Sequence, residues 1–122
     1  MQSPNDLTKS ATMQDIHQIW SWNATVPEAG ETCIHTLITD KALQQPDALA
    51  VDAWDGKWTY GELEDTSTKL ALRLLDLGVG SGTNVAICFE KSKYTPLAML
   101  AVMKAGGASI ALDPSQPQTR LQ

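Results

Sequence analysis

The 122-residue chain is poor in the residues that most chemistry needs: two histidines, two cysteines, one phenylalanine and two tyrosines. His17 and His35 do not supply the closely spaced ligands of a metal site. No serine has a paired histidine in a nucleophile context. Basic residues are also few, nine Lys and Arg against fourteen Asp and Glu, and they are scattered. The net charge of −5 without a basic patch excludes nucleic-acid binding, where phosphate contacts dominate affinity. The longest apolar run, Leu97 to Met103, falls far short of the roughly 20 residues of a membrane helix. Met1 to Ile16 is polar with no apolar signal core, so a cytoplasmic location is expected. In that compartment Cys33 and Cys88 read as reduced core residues of a helix and a central strand.

A phosphate loop of the Gly-x-x-x-x-Gly-Lys-Ser/Thr type is missing too. The glycine-rich stretch Gly78-Val79-Gly80-Ser81-Gly82-Thr83 follows a helix and opens a strand. A phosphate-cradling loop has the reverse order, with its N–H groups at a helix start. A helix C-cap and loop are expected there instead.

What is present divides the chain into 1–30 and 31–122. Residues 1–30 read as a partly disordered linker with one short apolar cluster. A brief helix over Met13 to Trp20 would put Ile16, Ile19 and Trp20 on one face, and Trp20 and Trp22 are expected to dock on a neighbouring surface. From Glu31 the pattern becomes regular. Thr32 can cap a helix to Gln44 with Ile34, Leu37 and Ile38 inward and Pro46 beyond its end. Ala48–Trp54 and Lys57–Thr59 flank an Asp55-Gly56 hairpin signal, with Trp54 and Trp58 packing across strands. Tyr60–Leu77 is a helix with a stripe of Leu63, Leu70, Leu74 and Leu77, ended by Gly78. Its first-turn carboxylates, Glu62, Glu64 and Asp65, read as a solvated helix start.

Asn84–Phe89 is apolar without alternation, the pattern of a strand covered on both faces. A helix beginning between Lys93 and Pro96 is apolar nearly all round and belongs between layers. Gly106-Gly107 stops it, and Ser109–Leu112 is the next strand. The predicted fold is α/β: a partial parallel sheet built by a right-handed βαβ crossover, with one apolar side of the Ser109–Leu112 strand unpaired. Asp113-Pro114 leaves that strand at the end where α/β proteins place ligands, and Asp113 reads as a turn or cap residue. No catalytic, cofactor-binding or metal-ligating residue emerges from these patterns.

Three segments carry a resemblance. Trp58-Thr59-Tyr60-Gly61-Glu62-Leu63 resembles the first core motif of adenylation domains in nonribosomal peptide synthetases. Leu100 to Pro114, about forty residues later, resembles the second, with Phe89-Glu90-Lys91-Ser92 between them as in many fungal members. Trp20-Ser21-Trp22-Asn23-Ala24-Thr25-Val26-Pro27 resembles the linker that those synthetases place between condensation and adenylation domains. Two departures stand in the last strand. Family members usually carry an aromatic residue where Ser109 stands and a proline where Ala111 stands, which bears on local packing.

The resemblance implies the opening portion of an adenylation domain's N-terminal subdomain, within an AMP-binding enzyme that activates an amino acid with ATP and Mg²⁺. It also implies that the family's phosphate loop, substrate pocket, ribose-binding aspartate and C-terminal lysine have no matching positions here. The expectation is a truncated synthetase of secondary metabolism, inactive alone and using no cofactor itself. Two alternatives stay open: a small non-catalytic interaction protein that docks on a synthetase or another partner, with Trp20 and Trp22 as the docking residues toward synthetase domains, and an incomplete gene model of an active synthetase.

Overall fold

The computed structural model describes residues 11–122, which divide into two units between Glu31 and Thr32. The polar residues before Ala11, and the disorder expected among them, lie outside the described residues.

In the first unit Thr12 starts α1 (Met13–Trp22). Its hydroxyl accepts from the Asp15 N–H at 3.1 Å, and the Asp15 carboxylate accepts from the Thr12 N–H at 3.0 Å. This reciprocal pair satisfies two donors that a helix start leaves free. The Asn23 side chain closes the far end by donating to the Ile19 carbonyl at 2.9 Å. No α1 residue is buried.

The second unit is an α/β arrangement of four helices and two small sheets. It begins with α2 (Ile34–Gln44), capped at Cys33 rather than Thr32 and without a side-chain cap. The inward face of α2 is Ile38, Thr39 and Ala42; Ile34 and Leu37 are exposed. β1 (Leu49–Ala53) and β2 (Gly56–Thr59) form the expected antiparallel hairpin, with a register irregularity between Leu49 and Val51. The hairpin feeds directly into α3 (Tyr60–Asp76), where Thr59 and Glu62 form a second reciprocal cap. The covered stripe of α3 is Leu63, Ser67, Leu70, Ala71 and Leu74; Leu77 lies past the helix and is exposed.

After α3 come β3 (Asn84–Ile87), α4 (Tyr94–Lys104) and β4 (Ala108–Ala111), then a single turn, α5 (Gln118–Leu121). β3 and β4 pair in parallel, Val85 opposite Ser109 and Ile87 opposite Ala111. α4 packs against α2 and α3 on one side and this sheet on the other, as its all-round apolarity requires. The double glycine ends α4 for two separate reasons. Gly106 takes φ +88° and donates to the Met103 carbonyl, while Gly107 donates to Val102. A Cβ on Gly107 would lie 3.1 Å from the Thr83 carbonyl oxygen and 3.0 Å from Val79, so the segment leading into β3 leaves no room for a side chain there.

Two apolar clusters make the core. Leu63, Leu97 and Leu100 gather Ile38, Val51 and Trp58, whereas Ala71, Ala101 and Ala105 gather Leu70, Leu74 and Val79. β3 departs from its sequence pattern. Val85 and Ile87 face the core, but Ala86 and Cys88 are exposed, so the strand is covered on one face among the described residues. Cys33 and Cys88 are free thiols, and both are exposed rather than buried in the core.

Candidate functional site

The carboxyl ends of β3 and β4 open onto a cleft of 680 Å³. Phe89, Glu90 and Lys91 form one wall as the chain leaves β3. Ala111 through Ser115 form the other, and Thr95 contributes from the first turn of α4. The position follows from topology: parallel strands joined by a helix leave their carboxyl ends free of crossing chain. A smaller cleft of 290 Å³ continues from Ala111–Asp113 to Gln116, Arg120 and Leu121. Ala111, where relatives of the resembled family usually carry proline, therefore shapes a cleft wall as well as a packing strand.

Asp113, Ser115 and Thr95 of the larger cleft are engaged locally. The Asp113 carboxylate accepts from the Ser115 N–H at 2.9 Å and from the Ser115 hydroxyl at 2.8 Å. These bonds hold its carboxyl below the usual carboxylate range, the backbone N–H having the larger effect. Asp113 is thus the turn residue that the sequence suggests. The Thr95 hydroxyl leans on the Glu90 carbonyl at 3.4 Å. Neither histidine lines either cleft.

Four N–H groups of the glycine-rich stretch are engaged within the protein. Gly78 and Val79 donate to Leu75 and Leu74 at the end of α3, Gly80 donates to the Thr83 hydroxyl at 3.2 Å, and Thr83 donates back to the Gly80 carbonyl. Among the described residues no three His, Cys, Asp or Glu side chains converge to hold a metal ion.

The first-turn carboxylates of α3 have three different fates. Glu62 caps the helix, and Asp65 pairs with Lys69 at 2.8 Å in solvent. Glu64 is mostly covered: its carboxylate meets the Lys104 ammonium at 2.8 Å, with those side chains only 26% and 10% exposed. The Thr39 hydroxyl donates to Glu64, and Lys104 donates to the Ser67 and Thr68 hydroxyls, each at 2.9 Å. This network ties α2, α3 and α4 together. Sequence reasoning missed it, although one lysine ending the apolar run of α4 was the available signal.

The two hairpin tryptophans also behave differently from expectation. They do not pack on each other across the strands, since Val51 faces Trp58 and the next pairs are Asp52–Lys57 and Ala53–Gly56. Both indole N–H groups bond instead to the loop between β3 and α4. Trp20 and Trp22 lie on α1, 72% and 70% exposed.

Residues 38–122 match the family described as AMP-binding enzyme. The chain belongs to that family. It is 56% identical over 109 residues to the nonribosomal peptide synthetase SIDD of Beauveria bassiana, spanning 89% of this chain and 6% of that protein. Among solved structures it is similar to the nonribosomal peptide synthetase FmoA3 in its α-methyl-L-serine-AMP-bound form, at 26% identity and TM-score 0.75. That match covers 86% of this chain and 12% of FmoA3. The N-terminal subdomain of Klebsiella oxytoca NpsA matches 73% of the chain at 27% identity, with TM-score 0.68 and 23% of its own chain covered. The chain thus carries part of an adenylation-domain N-terminal subdomain, of a family that uses ATP and Mg²⁺, and spans a small share of its relatives. Among the described residues no helix is long and apolar enough to cross a membrane.

Proposed function

We propose that this chain is the opening portion of a synthetase adenylation domain of fungal secondary metabolism, working in the cytoplasm, and that its 122 residues alone form no acyl-adenylate. The observation that carries this reading is the β3–α4–β4 unit. It holds the Leu100–Pro114 motif and a ligand-side cleft, while four N–H groups of the glycine-rich loop before it are engaged by the loop's own turn and by α3. In this reading the cleft contributes one wall toward the ligand and Asp113 shapes that wall without handling protons. Residues 1–30 act as the linker from a condensation domain.

Amino-acid-dependent pyrophosphate exchange tests the reading directly. The purified chain, given ATP, Mg²⁺ and a panel of amino acids, should exchange no label above background; exchange with any one substrate overturns it. A second reading, docking on a synthetase domain, draws on the exposure of Trp20 and Trp22. There, Trp20→Ala and Trp22→Ala together should abolish co-sedimentation with a purified condensation domain.

A further inference from the structure

The loop wall of the cleft is held from a distance. Within the loop itself, the Tyr94 N–H meets the Ser92 hydroxyl at 3.2 Å, the Thr95 N–H meets the Ser92 carbonyl at 3.3 Å and Thr95 meets Glu90 at 3.4 Å. These lie at the long, weak end for hydrogen bonds. The shorter bonds come from the hairpin, 35 to 38 residues earlier in the chain. The Trp54 Nε1–H donates to the Lys91 carbonyl at 2.5 Å, and the Trp58 Nε1–H donates to the Lys93 carbonyl at 2.9 Å. The Asp55 carboxylate accepts from the Lys93 N–H, also at 2.9 Å.

The Lys93 side chain closes the contact from the other direction. Its Nζ sits 4.4 Å from the centre of the Trp58 ring and 5.2 Å from that of Tyr94, within the range of cation–π attraction. The two rings meet edge to face at 6.0 Å. Gly56 makes room: a Cβ there would lie 3.0 Å from Lys93 Cδ and Nζ, and its φ of +148° already disfavours a side chain.

Trp54 is the informative member. Its side chain is 80% exposed, so burial does not account for a tryptophan at this place. Its only polar group is nonetheless engaged on the loop. Asp55 is equally pointed: in a hairpin turn its carboxylate would commonly serve the turn itself, but here it serves Lys93.

We propose that Trp54, Asp55 and Trp58 are positioning residues that fix the Lys91–Lys93 segment and thereby the cleft wall carrying Glu90 and Lys91. The hairpin tip sets the shape of the cleft without lining it. This role rests on reading the cleft as the ligand side of an adenylation domain, but the latch itself is measurable without any ligand.

Residue-resolved amide exchange on the 122-residue chain is the test. In Asp55→Ala, exchange of the Lys93 N–H should accelerate roughly ten- to a hundred-fold, the worth of a hydrogen bond to a charged acceptor. Asp55→Asn keeps an accepting carbonyl oxygen and should return the rate to within about threefold of the parent. Trp54→Phe keeps an exposed ring but loses the donor, and should shift the Ser92 amide resonance while amides of α3 and α4 stay unchanged. The proposal is overturned if Asp55→Ala leaves Lys93 exchange within about twofold of the parent. It is equally overturned if Asp55→Asn matches Asp55→Ala, or if α3 and α4 accelerate in step with the loop, since those results describe general destabilisation. Pyrophosphate exchange does not report on the latch, so either reading can fail without the other.

Discussion

The seam between α3 and α4 and the sheet of β3 and β4 both bring apolar residues together, yet one is closed and the other open. At the seam Ser67 and Ala101 are 0% exposed and Leu100 is 2% exposed. In the two strands only Ile87 is buried, and Ile110 is 45% exposed. Small residues explain the closed side. Ser67, Ala71, Ala101 and Ala105 let two helices approach until no solvent fits, and dispersion then adds to burial. On the open side Ala86 and Ile110 have no covering layer among the described residues. Apolar sequence therefore states what an element can be packed against, and contact alone states whether it is.

The widest separation should come from placing a charge on each region. Leu100→Asp buries an uncompensated carboxylate and should cost more than about 4 kcal/mol, enough to abolish a cooperative urea transition. Ile110→Asp should stay within about 1 kcal/mol of the parent, because its side chain can reach water. Circular dichroism through a urea titration measures both. Equal losses would break the comparison by showing the sheet face to be as closed as the seam.

A second contrast runs along a single helix. Glu64–Lys104 and Asp65–Lys69 are both 2.8 Å ion pairs on α3, but the first is mostly covered and the second is 67% and 73% exposed. Removing a partner from a covered pair leaves a desolvated charge behind, whereas an exposed pair is screened by water. Glu64→Ala should cost about 2–4 kcal/mol, and Asp65→Ala no more than about 0.5 kcal/mol. The ratio sharpens the comparison, since distance is the same and only burial differs. Similar losses in the two variants would mean that the Lys104 ammonium finds water once Glu64 is gone.

These contrasts also mark how much was legible in the sequence. The hairpin at Asp55-Gly56, α3, α4 and the parallel pairing of β3 with β4 follow from local periodicity and glycine placement, which are short-range signals. Facing was less readable. Ile34, Leu37 and Leu77 look inward by spacing but are exposed, because α2 turns Ile38, Thr39 and Ala42 inward and Leu77 lies past the end of α3. Longer-range polar pairing was the least readable, since a lone lysine ending the apolar run of α4 does not name its partner. Nothing near Glu64 announces Lys104, forty residues on, and nothing near Trp54 announces the Lys91 carbonyl. The cleft lies between, since its topological position is predictable from a βαβ unit while the anchoring of its wall is not.

The smallest effect belongs on the open side, at Asp113. Its carboxyl is lowered by the Ser115 N–H first and the Ser115 hydroxyl second, and the group is fully exposed. A carboxyl whose folded value lies below its unfolded value, about 3.9, stabilises the fold above that value. The contribution is lost as pH falls through the folded value. Asp113→Asn should therefore leave stability at neutral pH nearly unchanged and remove a slight part of the acid dependence below about pH 4. Ser115→Ala is the sharper variant, because it deletes the lesser cause and keeps the greater. Followed by carbon-13 titration of the Asp113 carboxyl, its midpoint should rise only part of the way to the ordinary value. A rise of the full distance would mean that the hydroxyl, and not the backbone turn, holds the charge at this wall of the cleft.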